Sequence, residues 1–466
     1  MDRLLVTATR KSSGKTTVTL GLSAAWASNG IAVQPFKKGP DYIDPMWLSA
    51  AAGRPCINLD FHTMSQDEIL QLCDRYAGDA DIALIEGNKG LFDGLDLHGS
   101  DSNAALARLL KAPVLLLIDV EGMTRGVAPI INGYRSFDPD INFAGVVLNN
   151  YAGDRHLAKL RAVIESYTDM PVLGAVPRSA ELAIAERHLG LTTLRETGEA
   201  VHRLDCIRRI VEDSVDLDKL RDLAAEAPLL EVPPVLQIEQ GAFAGLRIGI
   251  ARDEAFCFYY PDDLDQFRAL GAELVFFDTL RDNGLPPVDA LFIGGGFPET
   301  QAADLERNTA MRESIRRFLV NGGPVYAECG GLMYLARSIS WRDRRHKMVG
   351  AIDAEVAVEA RPVGRGYVEL EVGADHPWSA PRLVRAHEFH YSRLMSVPSE
   401  SRFGFNVRRG HGIDGQRDGL VQDNLFAAYA HQRDTRENPW VSEFLAHVMG
   451  LRNGNMAGDQ HRKATV

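Results

Sequence analysis

Cysteine is scarce in this chain: there are 5 in 466 residues, an odd number with no Cys-x-x-Cys pair. That scatter excludes a disulfide framework and a thiolate zinc site, and it fits a reducing compartment. No apolar run approaches the roughly 18 residues that a membrane-spanning helix needs. The opening "MDRLLVTATRKSSGK" also has no signal-peptide core. Positive charge is short as well, with 51 Lys and Arg against 63 Asp and Glu and a formal net charge of -12. A nucleic-acid or anionic membrane surface is therefore a poor partner. Internal repeats and low-complexity tracts are lacking. The expectation is a cytoplasmic protein acting on small molecules, with no nucleic-acid or membrane partner and a homodimer as the oligomer allowed for.

What is present is ordinary for a folded protein, at 45% hydrophobic and 24% charged residues. At about 150 residues per domain the length suggests two or three domains. In the first half, apolar runs such as "RLLVTAT", "DIALIEG" and "APVLLLIDV" alternate with helical spacings such as "TTVTLGLSAAWASNG". Near-continuous apolar strands between helices predict a doubly wound α/β domain with a parallel sheet. The Pro-Pro stretch "APLLEVPPVLQIEQGAFAG" reads as a connector. A second α/β alternation follows with "LRIGIARD", "DALFIGGG" and "GPVYAECG", and beyond about residue 350 the strands lose their helices, predicting antiparallel additions. The chain accordingly divides into residues 1–228, a linker at 229–245, a second domain at 246–450 and a flexible polar tail at 451–466.

"VTATRKSSGKTTVTLGL" places Ser13, Gly14, Lys15, Thr16 and Thr17 between a strand and a helix, as a phosphate-binding loop requires. Backbone N–H groups would cradle the phosphates of ATP, Lys15 would reach the β and γ oxygens, and Thr16 would hold Mg²⁺. The loop departs from the usual pattern at Thr9, where a glycine is expected. "FKKGPDYIDP" and "IEGNKGLFDG" each follow a strand and so fall at the carboxyl edge of the sheet, where ligands bind. Asp41 and Glu86 are the expected partners of Thr16 on Mg²⁺, with Asp44 and Asp93 ranked behind them. Lys37 and Lys38 would neutralise phosphate or a substrate carboxylate. The competing reading makes these glycine-rich turns with solvated charges.

"GPVYAECGGLMYL" reads as strand, sharp turn and helix, with Cys329 at the turn. A helix N-terminus at the sulfur should lower the thiol pKa, and the Gly330 N–H would serve an oxyanion. "LFIGGGFPE", with Gly295 and Gly296, is a second donor loop. A thiol nucleophile wants a base, and His387, His390, His411 and His431 are all candidates. "HEFH" also admits a histidine metal cluster, and the bland alternative for Cys329 is core packing.

Taken together, "KSSGKTTVTLGL", "VQPFKKGPDYIDP", "IEGNKGLFDG", "ERHLGL", "ARDEAFCFYYP", "GGGFPE", "AECGGLMYL" and "HEFHYS", in this order from about residue 3 to 448, resemble the cobyrinic acid a,c-diamide synthase family. The resemblance implies an ATP- and tetrapyrrole-binding amidoligase domain similar to dethiobiotin synthetase, followed by a class I glutamine amidotransferase domain. It implies Cys329 as the nucleophile toward glutamine and His431, in "AAYAHQ", as its base. His387 and His390, with Gly295, Gly296 and Gly330, would shape the oxyanion and glutamine pocket. Lys38, Asp41, Tyr42, Glu86 and Asp93 would handle substrate and phosphate. ATP would phosphorylate a carboxylate of the macrocycle, and ammonia would capture the acyl phosphate in cobalamin biosynthesis. The chain departs from the family at "HQRDTRENPW", where a second histidine is common, and at Asn88-Lys89. "GSDSNAALA" and "GMTRGVAP" resemble the relatives that amidate sirohaem, which makes sirohaem the alternative substrate. A P-loop regulatory ATPase with a decayed amidotransferase domain is the other alternative.

Overall fold

The computed structural model describes residues 1–182, 186–187, 190–191, 200–234 and 240–463. His188 and Leu189 of "ERHLGL", and residues 235–239 of the connector, lie outside the described residues. Two compact units are formed, residues 1–235 and 236–466.

The first unit is built on seven strands: β1 (Asp2–Ala8), β2 (Val33–Lys38), β3 (Ile57–Leu59), β4 (Ile82–Glu86), β5 (Val114–Asp119), β6 (Phe143–Tyr151) and β7 (Val172–Pro177). They lie in the order β3-β2-β4-β1-β5-β6-β7, and every pairing is parallel. The central strands are buried from end to end because helices cover both faces. Leu4, Leu5, Ile82, Leu84, Leu116 and Leu117 lose all their exposure, each worth about 1.5–3 kcal/mol against an exposed reference. Helix α1 (Lys15–Ser28) opens from Gly14, whose φ of 85° is a left-handed conformation that glycine adopts without a Cβ penalty. Helix α2 (Ile43–Ala52) follows β2. The helix Gln66–Ala77 is fixed at its start by a reciprocal capping box between Ser65 and Glu68.

The second unit carries a nine-stranded sheet that changes character across its width. Glu273–Phe277, Arg247–Ala251, Ala290–Ile293, Val325–Glu328 and Leu425–Ala428 lie side by side and parallel. Arg417–Gln422, Arg402–Arg409, Gly364–Val372 and Leu383–His390 then continue the sheet antiparallel. The helices Pro261–Ala269 and Thr309–Val320 lie between its parallel strands in the chain. A smaller four-stranded sheet includes one parallel pair, Ala336–Trp341 with Ile352–Val358, the second of which lies in the region expected to be antiparallel. The stretch from residue 451, read from its polarity as a tail, continues the helix Trp440–Lys463. None of the described helices is long and apolar enough to cross a membrane.

Candidate active sites

At the carboxyl edge of the first sheet the register does much of the positioning. Lys37 on β2 and Val6 on β1 are both Cα partners of Glu86 on β4, so Lys37 and Glu86 meet where α1 begins. Thr16 Oγ1 donates to Glu86 Oε1 at 2.6 Å and lies 3.3 Å from Asp44 Oδ2. The Lys37 ammonium lies 2.6 Å from Asp44 Oδ2 and 2.7 Å from Glu86 Oε1. Burial alone would lower the Lys37 pKa; Asp44 and Glu86 outweigh it and hold the group above its ordinary value. Burial raises the Glu86 carboxyl against the pull of Lys37. Lys15 is also buried, and desolvation brings it down to about 8.

The grouping expected from sequence joined Thr16 and Glu86 to Asp41; the structure puts Asp44 beside them instead. Asp41 Oδ1 is occupied by the Ile43 and Asp44 N–H groups, at 2.9 and 3.2 Å, in the turn that starts α2. An acid just ahead of a helix has its own orphan donors to satisfy, and one in the first turn is free to face the sheet edge. Glu86 Oε2 is buried without a hydrogen-bond partner. A hard divalent cation fits this set of two carboxylates and a hydroxyl, because it would satisfy that oxygen.

Around this cluster, Ser13 Oγ donates to the Arg10 carbonyl at 3.0 Å and closes the loop. Thr17 is part-exposed in the first turn of α1. Lys38 Nζ reaches Asn88 Oδ1 at 3.3 Å, Tyr42 is buried, and Asp93 Oδ2 accepts the Gly90 N–H at 3.0 Å. Sequence reading missed Asn149, at the end of β6, whose Nδ2 donates to the Ser13 carbonyl at 2.9 Å. A Cβ on Gly14 would collide with that amide. No motif marks Asn149; only the parallel sheet order brings it to the loop.

In the second unit Cys329 ends the strand Val325–Glu328 and precedes the helix Gly330–Leu335, with φ 46° and ψ −99°. A non-glycine residue at positive φ is strained, and such strain concentrates at functional turns. A Cβ on Gly330 would lie 3.0 Å from the Gly296 nitrogen, and one on Gly331 would strike the Ile293 carbonyl, so the turn packs directly on the Gly295-Gly296 loop. The expected fall in the Cys329 pKa is corrected: burial, then the charge of Glu299, pushes the thiol well above its ordinary value, and the Gly330 N–H only opposes them. A short helix cannot repay full desolvation of a thiolate.

The strand Leu425–Ala428 pairs with the cysteine's strand so that Ala428 faces Glu328, and the Cys329 N–H donates to the Ala428 carbonyl at 2.7 Å. His431 therefore emerges three residues later on the same edge. Its Cε1 would be 2.5 Å from a Cβ on Gly295, so only glycine admits the ring. His387 stacks on His431 with centroids 4.9 Å apart, and the two backbones form an isolated antiparallel bridge. His390 is placed differently: it stacks on Tyr429 at 3.9 Å, and its Nδ1 lies 2.9 Å from the Ser392 carbonyl. His411 lies beyond His390, with centroids 6.3 Å apart. Among the described residues no cluster of three or more His, Cys, Asp or Glu has metal-binding geometry.

A nucleotide loop on one parallel sheet, and on another a cysteine elbow with a histidine just past the end of the neighbouring strand, define a glutamine amidotransferase with an NTP-binding domain in the same chain. Residues 4–191 match the CobQ/CobB/MinD/ParA nucleotide binding domain, and residues 247–438 match the CobB/CobQ-like glutamine amidotransferase domain. A relative from Magnetococcus marinus named cobyrinate a,c-diamide synthase is 46% identical, covering 96% of this chain and 97% of its own. Relatives of the same name from Methanosarcina acetivorans and Archaeoglobus fulgidus are each 41% identical, covering 92% and 96% of this chain and 92% and 98% of their own. The chain belongs to the cobyrinate a,c-diamide synthase family.

Proposed function

We propose that this protein is a glutamine-hydrolysing carbon–nitrogen ligase that amidates the a- and c-carboxylates of cobyrinate or hydrogenobyrinate, at the expense of ATP, in cobalamin biosynthesis. The observation that carries the reading is near-full-length similarity to cobyrinate a,c-diamide synthases in a chain that retains both the Gly14-Lys15-Thr16 loop and the Cys329 and His431 pair.

Cys329 Sγ attacks the side-chain carbonyl of glutamine as its proton passes to His431, and the oxyanion is received by N–H groups of Gly330 and the Gly295-Gly296 loop. His431 returns the proton to the departing nitrogen, releasing ammonia and leaving a glutamyl thioester. Water cleaves the thioester to glutamate and restores the thiol. In the first unit a substrate carboxylate takes the γ-phosphoryl group of ATP, becoming an acyl phosphate with ADP released. Ammonia displaces the phosphate and forms the amide. Lys15, Lys37 and Lys38 bind and orient phosphate, and Tyr42 and Asp93 border the substrate. Thr16, Asp44 and Glu86 would hold Mg²⁺, which neutralises phosphate charge when bound. Asp41 supports this group through the turn that carries Asp44.

Parallel incubations of cobyrinate and of sirohaem with ATP and glutamine, read by mass spectrometry, test the substrate. Two amide mass shifts on cobyrinate and none on sirohaem are expected; the reverse would overturn the assignment. Cys329→Ala should abolish glutamine-driven synthesis and retain ammonia-driven synthesis. ATP hydrolysis indifferent to both glutamine and macrocycle would instead favour a regulatory ATPase.

A further inference from the structure

His431 needs more than proximity to act as a base: one ring nitrogen must be kept protonated so that the other offers its lone pair. In hydrolytic and transfer sites of this kind, a third group fixes the tautomer and the ring plane. The residues immediately after His431 are engaged with other partners. The Gln432 side chain donates to Tyr326 Oη at 2.8 Å, Arg433 pairs with Asp262 at 2.7 Å, and Asp434 accepts the Val441 N–H at 2.9 Å. An acid on the neighbouring strand reaches the ring.

We propose that Glu328, the residue directly before the nucleophile, is the positioning acid of the glutamine-hydrolysing site, holding His431 through Nδ1 so that Nε2 is the basic nitrogen. This rests on the reading of Cys329 and His431 as nucleophile and base. Glu328 Oε2 lies 3.3 Å from His431 Nδ1, and both side chains are 3% exposed. Its other oxygen is fixed: Oε1 accepts the Gln432 N–H at 2.9 Å and the Tyr326 hydroxyl at 2.6 Å. With two donors already directed at Oε1, the carboxylate is set to accept at Oε2 as well, which assigns the proton on this bond to Nδ1. The ring is also held on one face by His387, whose Nδ1 lies 3.3 Å from the Tyr260 hydroxyl, and at its Cε1 edge by Gly295. Nucleophile and positioning acid are thus consecutive residues, and because Glu328 is the strand partner of Ala428, the register that brings the base beside the nucleophile also brings the acid.

The isosteric change Glu328→Gln discriminates sharply. The Gln432 backbone N–H still demands an acceptor, so the new amide oxygen stays there and its NH₂ faces Nδ1. That arrangement makes Nδ1 the acceptor and inverts the tautomer. In the full-length enzyme, glutamine hydrolysis should lose kcat by about 10²–10⁴-fold with KM for glutamine within about threefold, while ammonia-driven amidation persists. Nitrogen NMR of ¹⁵N-histidine protein should place the neutral His431 proton on Nδ1 in the native enzyme and on Nε2 in the variant. Glu328→Asp should recover part of the lost rate. Unchanged kcat, an Nε2 proton in the native enzyme, or loss of ammonia-driven synthesis alongside the glutaminase would each overturn the proposal, the last by making Glu328 a structural residue. His431→Asn separates the two readings: if it leaves glutamine hydrolysis intact, the assignment of the base itself fails, whereas an essential His431 with a silent Glu328→Gln rejects the positioning acid alone.

Discussion

Lys37 and Glu86 form an ion pair of 2.7 Å in which the lysine side chain is 4% exposed and the carboxylate 0%. Removing one partner of a buried pair strands the other charge, which costs about 3–5 kcal/mol, whereas removing both charges is far milder. Lys37→Met should therefore lower the stability of the full-length protein in urea by about that amount, and Lys37→Met with Glu86→Gln should recover a large part of it. A double-variant loss equal to the sum of the separate Lys37→Met and Glu86→Gln losses would show that the pair is not coupled.

The same ammonium neutralises the two carboxylates proposed for Mg²⁺. Manganese titration followed by electron paramagnetic resonance should find Lys37→Met binding the ion more tightly than the native chain, since a competing cation is gone. Weaker binding in the variant would count against a shared carboxylate set.

Gly14 combines a φ of 85° with a direct approach to the Asn149 amide. Gly14→Ala should reduce ATP affinity at least tenfold in calorimetry, because the loop must open to admit the methyl group. Asn149→Ala, which makes that room, should restore part of the affinity in the double variant.

Gly295→Ala places a methyl 2.5 Å from His431 Cε1, and the ring cannot retreat because His387 is stacked against it. The expected result is loss of glutamine-driven amidation by more than about tenfold with ammonia-driven amidation retained, a division typical of damage confined to one of two coupled sites.

His376 is buried among Trp378, Phe405 and Phe426, and burial lowers its pKa from 6.5 to about 3. Its folded value lies below the unfolded one, so its contribution is complete above pH 6.5 and is lost as pH falls from there toward 3. The loss approaches about 1.4 kcal/mol per pH unit in that window. His376→Phe should flatten the slope of stability against pH by close to one proton between pH 6 and pH 4, whatever it does to stability at pH 7.5. An unchanged slope would show that the imidazole is charged in the folded protein.

Much of this was legible in the sequence because the informative residues are consecutive. Glycine-lysine-threonine after an apolar run, and a cysteine before two glycines, announce their backbone geometry locally, and the alternation of strands and helices follows from which faces must be buried. The choice of Asp44 over Asp41 was not legible. Both stand in one turn, and the outcome depends on which carboxylate the helix start claims for its own N–H groups. Glu328 was overlooked for the opposite reason: its sequence position suggests a strand end, and only the pairing with Ala428 reveals that His431, three residues further on, comes within reach of its side chain. The Cys329 pKa was misjudged because a helix terminus can be read from a motif while the depth of burial cannot.

That burial has a consequence for the protein's durability. Peroxide attacks thiolates far faster than thiols, so a sulfur held neutral and 5% exposed should resist over-oxidation to sulfinic acid between turnovers.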